Sequence, residues 1–213
     1  MLRLVASYPE VEEIKLLYGL TIAELKSPLL EAIIENKEKI KTISLHFETG
    51  SNRLLTLVRK GHAKESAIEL INIIRQEIPG IAIFSTMMIG LPTETLDDVD
   101  ETVDLIRRTQ IDGILCNYSP NHAIANLPQV SGNQKRRHLA YLINQLEQAG
   151  ISHPLQIQLQ GRAPDGIPGA QISMKGAEKF SVYNFGNQLN RKDCIPPTQS
   201  LTLVTKAQKT EEN

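Results

Sequence analysis

The sequence has 213 residues, with 23 basic against 24 acidic side chains and a net charge of −1. That balance excludes a polybasic nucleic-acid clamp and an acidic solvating tail. Hydrophobic residues, 41% of the chain, are too many for a disordered protein, and the 4% of aromatics, with no Trp, argue against a stacking platform for single-stranded nucleic acid. No window reaches the run of about 18 apolar residues that a membrane helix needs, and Met1-Leu2-Arg3-Leu4 has no signal-peptide architecture. Cys116 and Cys194 make neither a disulfide framework nor a CxxC pair. The composition predicts a soluble cytoplasmic protein.

In chain order, Leu2 to Ser7 alternates as a strand does, and Pro9 ends it. Val11 to Lys39 has helical spacing at Ile14, Leu17 and Leu20, then at Leu29, Ile33 and Ile34, with Ser27-Pro28 dividing it. Ile43 to Glu48 reads as a second strand, closed by the turn Thr49-Gly50-Ser51-Asn52. Ala63 to Glu77 reads as a helix that buries Ile68, Ile71 and Ile74 and stops at Pro79-Gly80. The near-continuous apolar run Ile81 to Ile89 is the signature of a strand buried in a parallel sheet.

Thr95 then caps a helix, with Asp97 and Asp98 at the positive end of its dipole. Ile111 to Tyr118 is a fourth strand, and the loop Ser119 to Asn133 leads into a helix ending at Ala149-Gly150. Four βα repeats predict an α/β fold, a partial (β/α) barrel over residues 1–150. Beyond it the chain turns rich in Gln, Gly, Pro and Asn. Leu155 to Leu159 alternates and Leu201 to Val204 resembles a last strand, which predicts a small β-rich module over 155–205 and a disordered tail over 206–213.

In such sheets chemistry gathers at the carboxyl ends of strands. Here those ends are Ser7-Tyr8-Pro9, His46 to Ser51, Ile89 to Glu94 and Tyr118-Ser119-Pro120. Each carries polar groups beside a Gly or a Pro. Turn chemistry accounts for any one of them taken singly, and for four on one rim turn chemistry and a ligand stand as equal readings. His46 and Glu48 lie on one side of a strand and, with His122, could form a two-His, one-carboxylate metal site; an orienting hydrogen bond is the simpler reading. There is no Gly-x-Ser-x-Gly elbow, phosphate loop or GxGxxG, and Gly61-His62 reads as a helix-entry turn.

The strand ends spell a set of motifs. Arg3 to Pro9 fits R-x-x-x-S-x-P, and Leu45-His46-Phe47-Glu48-Thr49-Gly50-Ser51-Asn52-Arg53 resembles L-P-x-Q-S-G-S-x-R. Arg59-Lys60-Gly61-His62, Ile89-Gly90-Leu91-Pro92-Thr93-Glu94-Thr95 and Asn117-Tyr118-Ser119-Pro120 resemble the N/K-R-G-H, V-G-F-P-G-E-T and K-Y-S-P motifs in the same order. Over residues 2–149 the chain resembles the radical-SAM methylthiotransferases, which add a methylthio group to tRNA adenosine or to a ribosomal-protein aspartate.

The resemblance implies S-adenosylmethionine as cofactor. It places Glu48, Ser51, Gly90, Pro92, Tyr118 and Ser119 at its pocket, and makes residues 155–205 the counterpart of the family's RNA- or protein-binding barrel. It implies no catalytic residue within this chain. The sequence departs from the family at Glu48, where Gln is expected, at His46, where Pro is expected, and at Asn121-His122-Ala123-Ile124, which lacks R-x-G-T.

The family's CxxxCxxC triplet is absent, and two cysteines 78 positions apart cannot replace it, so an iron–sulfur cluster is not bindable by this chain alone. Two expectations follow. The chain is the later part of a methylthiotransferase-like enzyme that needs a cluster-bearing N-terminal chain. Alternatively it is a non-catalytic remnant or RNA- or protein-binding half barrel, whose open edges and apolar surface call for a homodimer or another partner.

Overall fold

A computed structural model describes residues 1–25, 28–119, 126–151, 155–160, 180–184 and 201–205. Leu2–Ala6 form a short helix, α1, and Val11–Leu20 the strand β1. Both differ from the sequence expectation of a strand over 2–7 and a helix from Val11. Leu, Arg and Ala are good helix formers, and the Ser7 hydroxyl closes the turn by donating to the Leu4 carbonyl at 2.7 Å. In β1 the helical stripe dissolves, because Ile14 is buried while Leu17 is half exposed. The β1 backbone is claimed by a distant partner, with Leu16 set beside Ile43 in a parallel ladder. Ser7-Tyr8-Pro9 is therefore the link from α1 to β1, not a strand end on the rim.

Helix α2 (Leu29–Glu35) has Pro28 at its N-cap and leads into β2 (Ile40–Glu48). Ser51 caps a short helix, α3 (Asn52–Leu57), by accepting the Leu54 N–H; the sequence expectation held only a turn there. Then come α4 (Lys64–Glu77), β3 (Ala82–Ile89), α5 (Leu96–Thr109), β4 (Gly113–Tyr118) and α6 (Gly132–Gln148). Thr95 caps α5 in a reciprocal capping box with Asp98, as its sequence position predicts. Strands β5 (Leu155–Gln160), β6 (Phe180–Asn184) and β7 (Leu201–Thr205) complete the sheet.

The seven strands lie in the order β6-β5-β4-β3-β2-β1-β7. Strands β1 to β6 are parallel neighbours in chain order, and β7 is antiparallel to β1. Such single winding without reversal keeps the crossovers on one side, so the sheet curls as a partial (β/α) barrel. Along β2, Ile43, Leu45 and Phe47 are buried against the helical layer, while Ser44 and His46 on the other face are less covered. Ile68, Ile71 and Ile74 of α4, Val99 and Ile106 of α5, and Leu139 and Leu142 of α6 fill the same core.

Leu155–Gln160, whose alternation pointed to a separate module, runs parallel beside β4, with Leu159 opposite Cys116. The rest of the expected β module outside β6 and β7, and the expected tail 206–213, lie outside the described residues. No helix among the described residues is long and apolar enough to cross a membrane.

Candidate S-adenosylmethionine site

The carboxyl ends of β2, β3 and β4 share one rim. At the end of β2 the chain turns sharply at Glu48. The Thr49 N–H donates to the Phe47 carbonyl at 2.8 Å, and Glu48 has φ 65°. That is a γ-turn of the strained, positive-φ kind, rare for a side chain as large as Glu. Strain of this type persists only where the surroundings hold it, and it gathers at ligand sites.

The Glu48 side chain is buried, with Oε1 accepting from Lys60 Nζ at 2.7 Å and lying 3.6 Å from His46 Nδ1. The sequence expectation that His46 and Glu48 share a side is met, although the ladder is irregular between them. Gly19 of β1 makes room for the imidazole, because a Cβ there would lie 1.8 Å from His46 Cδ2. Burial works to raise the Glu48 pKa. The hydrogen bonds from His46 and Lys60 and the lysine charge outweigh it, and the carboxyl sits below its ordinary value. Its second oxygen, Oε2, is buried without a hydrogen-bond partner among the described residues.

Glu48 opens on a cavity of about 630 Å³, whose other walls are Leu57, Val58, Arg59 and Lys60 after α3, Met88 and Leu91 at the end of β3, and Leu127. The size and the mostly apolar lining with a few charged groups suit a cofactor-sized ligand.

Of the remaining expected pocket residues, Ser51, Gly90 and Ser119 make their contacts behind the cavity wall. Ser51 is fully buried, and its hydroxyl donates to Asp98 Oδ1 at 2.6 Å. Asp98 also accepts from Arg53 Nε at 3.2 Å and from the Thr95 N–H at 2.8 Å, binding the β2 turn to the start of α5. Burial raises the Asp98 pKa, but hydrogen bonds from Arg53, Ser51 and Thr95 overcome this and hold it at about 2. Gly50 is explained by packing, since a Cβ there would lie 2.4 Å from the Glu101 carbonyl.

Gly90 has φ 77°, and the space in front of its α-carbon is taken by Lys135, whose Cγ would lie 2.2 Å from a Cβ. The left-handed backbone and that contact both favour glycine here. Pro92 is buried, and the neighbouring Leu91 is the residue of that turn that lines the cavity. Tyr118 ends β4, and Ser119 is buried with its hydroxyl oxygen lacking a partner among the described residues. Sequence reasoning missed Lys60 as a site residue, although it stands inside the recognised Arg59-Lys60-Gly61-His62 turn, and it missed Leu57, Met88 and Leu127. His122, the third member of the imagined metal site, lies outside the described residues.

An adenosine-bearing cofactor fits this donor set, with an apolar trough for a base and an unsatisfied buried carboxylate oxygen for a hydroxyl or cationic group. An iron–sulfur cluster does not. Cys116 is buried in β4, and burial, with the charge of Glu94, pushes its thiol up to about 12, far from the thiolate a cluster needs.

Residues 7–106 match the family model of the radical SAM superfamily. The chain is similar to tRNA-2-methylthio-N(6)-dimethylallyladenosine synthases. It is 30% identical to that of Thermotoga petrophila over 79% of this chain and 39% of the relative. It is 26% identical to that of Pseudothermotoga lettingae over 90% and 43%, and 29% identical to that of Petrotoga mobilis over 88% and 45%. It thus spans about two-fifths of the length of these curated relatives. Among solved structures, Streptococcus suis SuiB bound to S-adenosylmethionine is similar at 16% identity and a TM-score of 0.48, covering 67% of this chain and 33% of that one. With the motifs in order along a singly wound parallel sheet, the matched model and the aligned relatives show this chain's likeness to the radical-SAM methylthiotransferase family.

Proposed function

We propose that this methylthiotransferase-like chain binds S-adenosylmethionine at the rim of its partial barrel and takes part in methylthiolation of tRNA adenosine. The observation that supports this most is Glu48, a strained residue on a cavity of cofactor size, with one carboxylate oxygen held by Lys60 and the other buried without a partner. Glu48 and Lys60 bind and orient the ligand, Met88, Leu91 and Leu127 exclude water from its apolar part, and Ser51, Gly90, Pro92 and Ser119 shape the rim from behind. When bound, S-adenosylmethionine supplies methyl-transfer and radical chemistry. The tRNA branch is favoured over the ribosomal-protein branch by the relatives' names.

Cys116, the one cysteine among the described residues, is buried with its thiol pushed up, so a cluster serving this cofactor would be held outside those residues. The same observation favours one second reading, a non-catalytic RNA- or protein-binding half barrel that covers its open side by forming a homodimer.

Titration calorimetry with S-adenosylmethionine tests the proposal. The native chain is expected to bind at micromolar concentration. Glu48→Gln should retain binding within a few-fold, because an amide oxygen still accepts, while Glu48→Ala should weaken it at least ten-fold. No binding by the native chain would overturn the S-adenosylmethionine reading and leave the binding-module reading. Unchanged affinity in Glu48→Ala would remove Glu48 from the site.

A further inference from the structure

We infer that Lys135 and His138, neighbouring residues on one face of α6, are positioning residues that set the geometry of the cofactor rim from behind. The inference rests on the S-adenosylmethionine reading of the cavity and goes beyond it, because neither residue lines the cavity.

Lys135 is fully buried, and its Nζ donates to the Ser119 carbonyl at 2.5 Å, at the end of β4. On the way its stem crosses Gly90 at the end of β3, so closely that a Cβ there would lie 2.2 Å from Lys135 Cγ. One turn further along α6, His138 Nδ1 lies 2.6 Å from Glu94 Oε1. Glu94 in turn accepts the Gly90 N–H at 2.8 Å through Oε1 and the Leu91 N–H at 3.4 Å through Oε2. Leu91 is a wall of the cavity. Two side chains of a single helix therefore hold the end of β3, which walls the cavity, and the end of its neighbour β4, the first through a carboxylate that gathers two backbone amides and the second through a backbone carbonyl.

Packing alone does not call for this arrangement. The space over Gly90 would accept a methionine or leucine stem at lower cost, since burying an ammonium is expensive and here pushes the Lys135 pKa down. A buried lysine aimed at a backbone carbonyl contributes a defined register where a hydrophobic residue would only fill volume. The Ser119 hydroxyl, buried without a partner among the described residues beside the carbonyl that Lys135 holds, marks the same spot as one built for placement more than for stability.

Lys135→Met keeps the stem over Gly90 and removes the ammonium. The full chain would be compared with this variant by thermal unfolding, by S-adenosylmethionine calorimetry and by hydrogen exchange at the Gly90 and Leu91 amides. The expected result is a melting temperature within a few degrees of native, at least ten-fold weaker binding, and faster exchange at Gly90 and Leu91 with no change at Ile71 in α4. Native-like affinity and native-like exchange in a folded Lys135→Met would overturn the inference and leave the cofactor reading intact. If the native chain binds no S-adenosylmethionine, the cofactor reading fails by itself. The exchange data then decide the positioning role alone, with unchanged protection overturning it. Should Lys135→Met fail to fold, His138→Asn is read by the same criteria at the Glu94 end, and unchanged affinity and exchange there overturn the inference.

Discussion

Replacing Asp98 with Asn removes the charge that ties three elements together. Asp98 receives the Ser51 hydroxyl, the Arg53 guanidinium and the Thr95 N–H, so it joins the turn after β2, helix α3 and the N-terminus of α5. Its pKa falls from 3.8 to about 2, which at about 1.4 kcal/mol per unit is worth about 2 kcal/mol of stability at neutral pH. The sign follows from the depressed folded-state value: this contribution is complete above about pH 4 and is lost as pH falls through about 2. Asp98→Asn should therefore lower stability by about 2 kcal/mol or more, because its amide also turns a donor toward the donors of Arg53 and Thr95. Urea unfolding of native and variant chains from pH 7 to pH 2 measures the gap directly. It should be flat down to about pH 4 and shrink below it. Other carboxylates titrate in both proteins and cancel in the difference. A gap that stays constant to pH 2, or none at pH 7, would refute the hub as drawn.

Further expectations follow from close contacts and burial. Gly90→Ala should destabilise by about 2–4 kcal/mol, combining a left-handed backbone with overlap on Lys135, and in a Lys135→Ala background the penalty should fall to the backbone share of about 1 kcal/mol; urea unfolding of the four proteins reads this out. Gly19→Ala should drive the His46 ring from its place beside Glu48, seen as a shift of the His46 ring resonances in an NMR spectrum. In a Cys194→Ser background, Cys116 should resist a thiol reagent at pH 8 until urea unfolds the chain, since the thiol is buried and held near 12.

Between Ile40 and Tyr118, helix α3 apart, local pattern and tertiary structure agree, and there the sequence was readable. The apolar run at Ile81–Ile89 became the buried strand β3, the stripe of Ile68, Ile71 and Ile74 became the core face of α4, and Thr95 with Asp98 became a capping box. The motifs that carry the family are short backbone turns at strand ends, whose chemistry is written in neighbouring residues, and so the family too was legible.

What only the tertiary structure decided depends on partners far away in the chain. Val11–Leu20 satisfies a helical spacing almost as well as a strand, and the ladder offered by β2 settles which it becomes. Leu155–Gln160 alternates as a strand in any sheet would, and its pairing with β4 is invisible until the two meet. A side chain at Gly50 or Gly90 would meet the Glu101 carbonyl or the Lys135 stem, neighbours that no local pattern announces. Lys60 and Lys135 are ordinary lysines in sequence, because what a long cation touches is fixed by the fold that surrounds it and not by its neighbours along the chain.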